Sequence, residues 1–214
     1  MQIEFGGEAL ILRSDKTLFW PGDRTLFAAD LHFGKLAHFR KNGSGIPEAG
    51  ATTVIHQLEN ALLETKATRL IILGDFFHSV ENMAMLDIAQ NWKFDVETWL
   101  IPGNHDLLKL SDYQSLGFQI YPDYQKCGPF LLTHIPPEKP DLGRFFLSGH
   151  VHPSVRVKGK AKQTMRLPCF FKSSEQLILP AMGIFTGTFT LRQNKPEDRA
   201  YAIAGNAIFE MEIF

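Results

Sequence analysis

The stretch TRLIILGDFFH, residues 68–78, decides the fold. Arg69 to Leu73 is a continuous apolar run of strand length, and it stops abruptly at Gly74-Asp75. The same order, an apolar run and then a polar cluster, occurs four more times. Thr25 to Ala29 runs into Asp30-Leu31-His32, and Glu97 to Ile101 into Pro102-Gly103-Asn104-His105-Asp106. Phe130 to Thr133 runs into His134, and Phe145 to Leu147 into Gly149-His150-Val151-His152.

Between the first of these runs lie helix signals. Pro47 stands where a first helical position belongs, and Val54, Ile55, Leu58, Ala61 and Leu62 follow at helical spacing. The periodicity predicts a second helix over about Val80 to Trp92. Ahead of them, Ala9 to Leu12 and Thr17 to Trp20 read as strands bounded by turn residues. After His152 come short strands with Gly and Pro punctuation, including Gln176 to Leu179, Gly187 to Arg192 and Ala207 to Ile213. The order is βαβαβ and then mostly β. It predicts an α/β fold of two packed mixed sheets with helices on the outside, in one domain over residues 1–214.

Composition excludes several classes. With 44% hydrophobic and 21% charged residues the chain reads as globular, and at a net charge of -1 it has no bulk field for nucleic acid or membranes. Any polyanion has to be held by a local patch. The two cysteines, Cys127 and Cys169, lack disulfide or metal-ligand spacing and read as core residues of a reduced compartment. No secretory signal and no uninterrupted apolar window of membrane length is seen. A cytoplasmic location is expected.

The five clusters carry the chemistry. Ligands in layered α/β folds bind at the carboxyl ends of strands, so the clusters are expected to converge. Glycines before Asp75, Asn104 and His150 permit sharp turns and close backbone approach. The candidate metal ligands are Asp30, His32, Asp75, Asn104, His134, His150 and His152: two carboxylates, one amide oxygen and four imidazoles. That mixture suits Mn²⁺ first, with Fe, Zn or Co as alternatives, better than Mg or Ca. Seven ligands are too many for one such ion but suit two sharing a bridge, for which Asp75 is the candidate.

The series DLH, GDFFH, GNHD, TH and GHVH resembles the signature of the calcineurin-like metallophosphoesterases, over roughly residues 25–155. The resemblance implies an αββα sandwich and one metal on Asp30, His32, Asp75 and His152, with the other on Asp75, Asn104, His134 and His150. It implies His105 as general acid or charge stabiliser, oriented by Asp106, and attack on phosphorus by a metal-bound hydroxide. Asp106 also reads as an N-cap for the next helix. One departure is that many family members read GDxxDR where this chain has Gly74-Asp75-Phe76-Phe77-His78-Ser79, which argues against a protein phosphatase and leaves His78 for part of that role. DLHFGK with Phe39-Arg40, LPCF at 167–170 and LPAMGIFTG at 179–187 are similar to a bacterial branch described as ligase-associated DNA damage response endonucleases. That likeness implies DNA more than RNA as substrate, repair partners such as a ligase or helicase, and no membrane.

Other residues admit two readings. Arg156, Lys158, Lys160, Lys162, Arg166 and Lys172 lie in a segment without acidic residues, and the first four alternate along one face. They form either a phosphate-backbone track beside the metals or a solvated hairpin edge. Lys35 and Arg40 either touch substrate phosphates or face water. His38 and His56 read as structural. The leading expectation is a phosphodiesterase, a DNA endonuclease of repair; a phosphomonoesterase or cyclic-nucleotide phosphodiesterase and a non-catalytic scaffold on the same fold are the alternatives.

Overall fold

The structure, a computed structural model, describes residues 1–35, 50–78, 88, 91–158, 163–184, 186–191 and 195–212. Pro47, His38, Arg40, most of the predicted 80–92 helix, Lys160 and Lys162 lie outside the described residues.

Two sheets carry the molecule. The first has seven strands in chain order: β1 (Gln2–Phe5), β2 (Glu8–Leu12), β3 (Leu18–Trp20), β4 (Thr25–Ala28), β5 (Arg69–Leu73), β6 (Glu97–Ile101) and β7 (Phe118–Ile120). β1 to β4 pair antiparallel through short turns, and β4 to β7 pair parallel through longer crossovers. Helix α1 (Gly50–Thr65) lies in the crossover from β4 to β5, and the short α2 (Leu110–Ser115) in that from β6 to β7.

The second sheet contains β8 (Gln125–Cys127), β9 (Phe130–Leu132), β10 (Phe145–Ser148), β11 (Pro153–Lys158), β12 (Thr164–Lys172), β13 (Gln176–Ile178), β14 (Phe189–Thr190), β15 (Arg199–Ala204) and β16 (Ala207–Met211). Parallel pairs β9–β10 and β10–β13 sit inside an otherwise mostly antiparallel arrangement. Long β12 pairs with β11 through its first half and with β13 and β15 through its second.

The continuous apolar runs now have a cause. In β5, Ile71 and Leu73 enter the core between the sheets, while Leu70 and Ile72 enter the core under the helices. β4 divides likewise, Phe27 inward and Leu26 with Ala28 outward, so both strands are covered on both faces. The inter-sheet core takes Phe130, Leu132, Leu147, Phe170, Leu177 and Leu179 from the second sheet. Most of the stability of a helix such as α1 comes from packing its apolar face rather than from propensity. Its stripe of Val54, Ile55, Leu58, Ala61 and Leu62 is buried against the first sheet, each larger side chain contributing about 1.5–3 kcal/mol. Among the described residues no helix is long and apolar enough to cross a membrane.

Candidate metal centre

All five predicted strand–cluster junctions open at one edge of the sheet pair. Backbone hydrogen bonds tie them to one another. Asp30 N–H donates to Gly74 O at 3.1 Å, His32 N–H to Asp75 O at 2.8 Å, and Gly149 N–H to His134 O at 3.1 Å. From the other side, Met182 N–H donates to Ala29 O and Gly183 N–H to Asp30 O, both at 2.9 Å. The loop carrying Asp30 is therefore clamped on two sides.

The ligand residues adopt unusual backbone. Asp30, His32, Asp75, His150 and His152 all have positive φ, at 54°, 49°, 50°, 67° and 50°. Each such conformation costs an L-residue on the order of 1–2 kcal/mol. It persists only where the surroundings over-determine it. The preceding glycines have a more specific task than turning the chain, because each makes room for a ligand from another strand. A Cβ at Gly74 would strike His134, one at Gly103 would strike Asp75, and one at Gly149 would lie 2.5 Å from Asp30 Oδ2.

Two groups result, Asp30 with His32 and His152, and Asp75 with His134 and His150; within each the ligand atoms all lie within 4.8 Å of one another. Asp75 lies between them, its Oδ2 3.6 Å from His32 Nε2 and its Oδ1 3.5 Å from His134 Nε2. This is the position expected of a bridge. Asn104 Oδ1 is 3.2 Å from His134 Nε2, which adds it to the second group. The floor (Asp30, His32, Asp75, His134) is buried, whereas Asn104 and His150 are exposed, so the site opens on one side.

The donors fit cations. His32 Nε2 faces His152 Nε2 at 3.3 Å, and His150 Nδ1 faces His134 Nε2 at 3.1 Å. Imidazole lone pairs converge in this way on a proton or a metal. His134 Nδ1 donates to Leu73 O at 3.0 Å and His152 Nδ1 to Gly187 O at 2.9 Å, which leaves each Nε2 as the free ligand atom. Burial, followed by the charges of Lys35 and His152, pushes the His32 pKa down to about 2, so His32 is neutral and able to ligate. Asp30 Oδ1 is fully buried and lies 3.3 Å from His152 Nε2, two ligand atoms facing each other as they would across a cation.

His105 sits at the mouth. Its backbone N–H donates to Asp75 Oδ1 at 3.0 Å, and its ring lies 5.5 Å from that of His32. The expected orienting contact from Asp106 is corrected by the structure. The Asp106 carboxylate accepts Gly103 N–H at 2.8 Å, Phe77 N–H at 3.1 Å and the Tyr113 hydroxyl at 3.0 Å. It holds the Gly103–Asn104 loop against the Gly74–Phe77 loop, and among the described residues no ion pair joins it to His105. Burial raises its pKa, and those three donors oppose the shift. Nor is it an N-cap, because α2 starts after Lys109, whose N–H is accepted by Asp112. Besides His32, the His78 ring contacts His105, stacked at 5.1 Å and 30°. Tyr113 carried no sequence signal beyond an aromatic residue in a helix.

Lys35 is half-buried, and burial lowers its pKa while Asp75 and Asp30 raise it, which places it within the field of both carboxylates. Arg156 and Lys158 are exposed on β11, and Arg156 lies directly opposite Arg166 on β12. His56 is an exposed helix residue paired with Glu59 at 2.8 Å.

Converging carboxylate and imidazole ligands at the strand ends of two packed sheets define a metal-dependent phosphoesterase. The chain belongs to the calcineurin-like phosphoesterase family, whose model matches residues 23–154 and so takes in all seven predicted ligands. Divalent metals serve that family, and the two ligand groups here are placed to hold them. The chain is similar to the crystal structure of Pseudomonas putida nuclease MPE, with 30% identity over 99% of each chain and a TM-score of 0.83. It also matches YfcE, a phosphoesterase from E. coli, at 17% identity, covering 89% of this chain and 99% of that one, with a TM-score of 0.44. No curated protein matches it in a sequence search.

Proposed function

We propose that the protein is a two-metal phosphodiesterase that cuts nucleic acid, DNA rather than RNA, as an endonuclease of DNA repair, working with Mn²⁺ and in the company of other repair enzymes. The observation that carries the nucleic-acid reading is the β11–β12 arm. It leaves the site directly after His152 and sets Arg156 opposite Arg166. Like charges facing each other across a ladder are destabilising. A sheet edge needs only one lysine to block pairing, whereas a facing pair of arginines suits a backbone of phosphates. Likeness along the whole chain to a protein named as a nuclease supports the same reading.

In this mechanism Asp30, His32, Asp75 and His152 would hold one ion, and Asp75, Asn104, His134 and His150 the other. Two such ions supply a water acidic enough to ionise near neutral pH and positive charge for the oxygens of an in-line displacement. The chain does the rest. Asp75 fixes the spacing between the two sites and anchors the backbone of His105, which presents its ring to the leaving oxygen as proton donor. Asp106 and Tyr113 keep that loop in register. Lys35 supplies a cation beside the scissile phosphate, with His78 packed behind His105. The shared inter-sheet core supports one domain over the whole chain.

The test is hydrolysis of bis-p-nitrophenyl phosphate and labelled single-stranded DNA with Mn²⁺ by the wild type, His105→Ala and Asp75→Asn. Loss of both activities in both variants is expected. Model-ester turnover without DNA cleavage would move the substrate to a small phosphoester, and exclusive turnover of a monoester would end the nuclease reading.

A further inference from the structure

A pocket of about 270 Å³ opens beside the metal centre, with His152 in its wall. The rest of the wall is Lys16, Pro153, Pro168, Ala181, Gly183, Ile184, Thr186 and Thr188. Two of these segments, around Pro168 and from Ala181 to Thr186, are the stretches singled out above for a family likeness without any assigned chemistry. Lys16 comes from elsewhere, the β2–β3 hairpin. Antiparallel pairing of Leu18 with Phe27 brings the start of β3 beside the end of β4, and so beside Asp30.

Lys16 is half-buried in the wall of this pocket. It has φ 73° in a turn closed by its own N–H to Arg13 O at 3.1 Å. Burial lowers its pKa, and no acidic group raises it. Among the described residues its ammonium makes no ion pair or side-chain hydrogen bond. The Ala181–Gly183 wall is rigid, since Met182 and Gly183 donate to Ala29 and Asp30, and a Cβ at Gly183 would lie 2.5 Å from Leu31 O. Thr186 donates its hydroxyl to Gly183 O at 3.3 Å and is left as an acceptor.

Resting on the phosphodiesterase reading, we infer that this pocket is a subsite for the nucleotide flanking the scissile phosphodiester, with Lys16 binding its phosphate and Pro153, Pro168 and Ile184 its sugar and base. The volume lies just below the roughly 300 Å³ at which small-molecule sites begin, which suits one such unit. A half-buried cation in the pocket wall, with no ion pair among the described residues, is placed to face an anionic group. The subsite would also make the enzyme prefer an internal diester, which has a flanking nucleotide, over a small ester, which has none.

The experiment compares wild type, Lys16→Met and Lys16→Arg. In steady state with Mn²⁺, Lys16→Met should lose at least ten times more kcat/KM on a single-stranded oligonucleotide than on bis-p-nitrophenyl phosphate, chiefly through KM, and Lys16→Arg should recover most of it. Independently of turnover, fluorescence anisotropy of a labelled oligothymidylate is measured on the Mn²⁺-loaded His105→Ala background. Lys16→Met should weaken binding about tenfold and reduce the salt slope by about 0.7, the value for one phosphate contact on a single strand. Equal losses on both substrates, or unchanged affinity and slope, overturn the subsite. If the wild type hydrolyses neither diester, the phosphodiesterase reading fails, while the anisotropy series still decides whether Lys16 binds a phosphate.

Discussion

Replacing Gly149 by alanine probes how tightly the two sheets are fitted at the metal centre. The added methyl would lie 2.5 Å from Asp30 Oδ2, 2.8 Å from Ala29 Cβ and 2.8 Å from Leu73 O. None of these atoms is the end of a flexible side chain. Leu73 O belongs to β5, Ala29 follows β4 directly, and Asp30 Oδ2 accepts His150 N–H at 2.9 Å. Gly149 is not among the residues with positive φ, so the cost is purely steric. Overpacking of this kind costs about 1–3 kcal/mol. At this chain length each kcal/mol moves Tm by about 2–4 °C, so the variant should melt about 2–12 °C lower. The clash also falls on a ligand. Mn²⁺ at 100 times its Kd stabilises a protein by about 2.7 kcal/mol, and the variant should show a smaller Mn²⁺-dependent rise in Tm than the wild type. Calorimetric melts with Mn²⁺ and with EDTA give both quantities. A melt within about 1 °C of wild type, together with an undiminished Mn²⁺ rise, would refute the close fit.

Other perturbations separate the remaining parts. Asp106→Ala strands two backbone donors and a hydroxyl and should cost about 2–4 kcal/mol in urea unfolding, against about 1 kcal/mol for Tyr113→Phe. Arg166→Gln removes the facing charge on β12 and should stabilise the fold by a few tenths of a kcal/mol while weakening single-strand binding; a loss of stability or unchanged binding would count against the phosphate track. Leu58→Ala, in the buried stripe of α1, should cost about 2–5 kcal/mol in the same unfolding assay. Burial pushes Cys127 up to about 11 and Cys169 up to about 12, so a thiol reagent at pH 8 should react with neither in the native protein and with both in denaturant.

Much of this was legible because strand ends and ligand types announce themselves. Arg69–Leu73 and Glu97–Ile101 form strands over the residues expected, and α1 extends the predicted stripe by a turn at either end. All seven candidate ligands follow an apolar run, and six of them fall into the two groups that could hold a metal ion. What escaped depended on contacts distant in sequence. β1, β7 and β8 are short strands of mixed polarity whose existence rests on their neighbours. Asp106 and Lys16 show the same limit. The first is adjacent to His105 in the chain, yet its carboxylate turns to Phe77 and Tyr113; the second lies 14 positions before Asp30 and comes beside it only through hairpin pairing. His78 departs from the family's GDxxDR pattern, and its stacking on His105 gives that departure a geometry.

The division of ligands between the sheets has a mechanical consequence. Asp30, His32, Asp75 and Asn104 follow strands of the first sheet, and His134, His150 and His152 follow strands of the second. Each ion would therefore be a rivet through both layers, with neither layer able to seat it alone. A fragment carrying only one sheet should be blind to metal. Chelation should loosen the seam between the layers before it melts either one, and amide exchange along β9 and β10 would register that slip first.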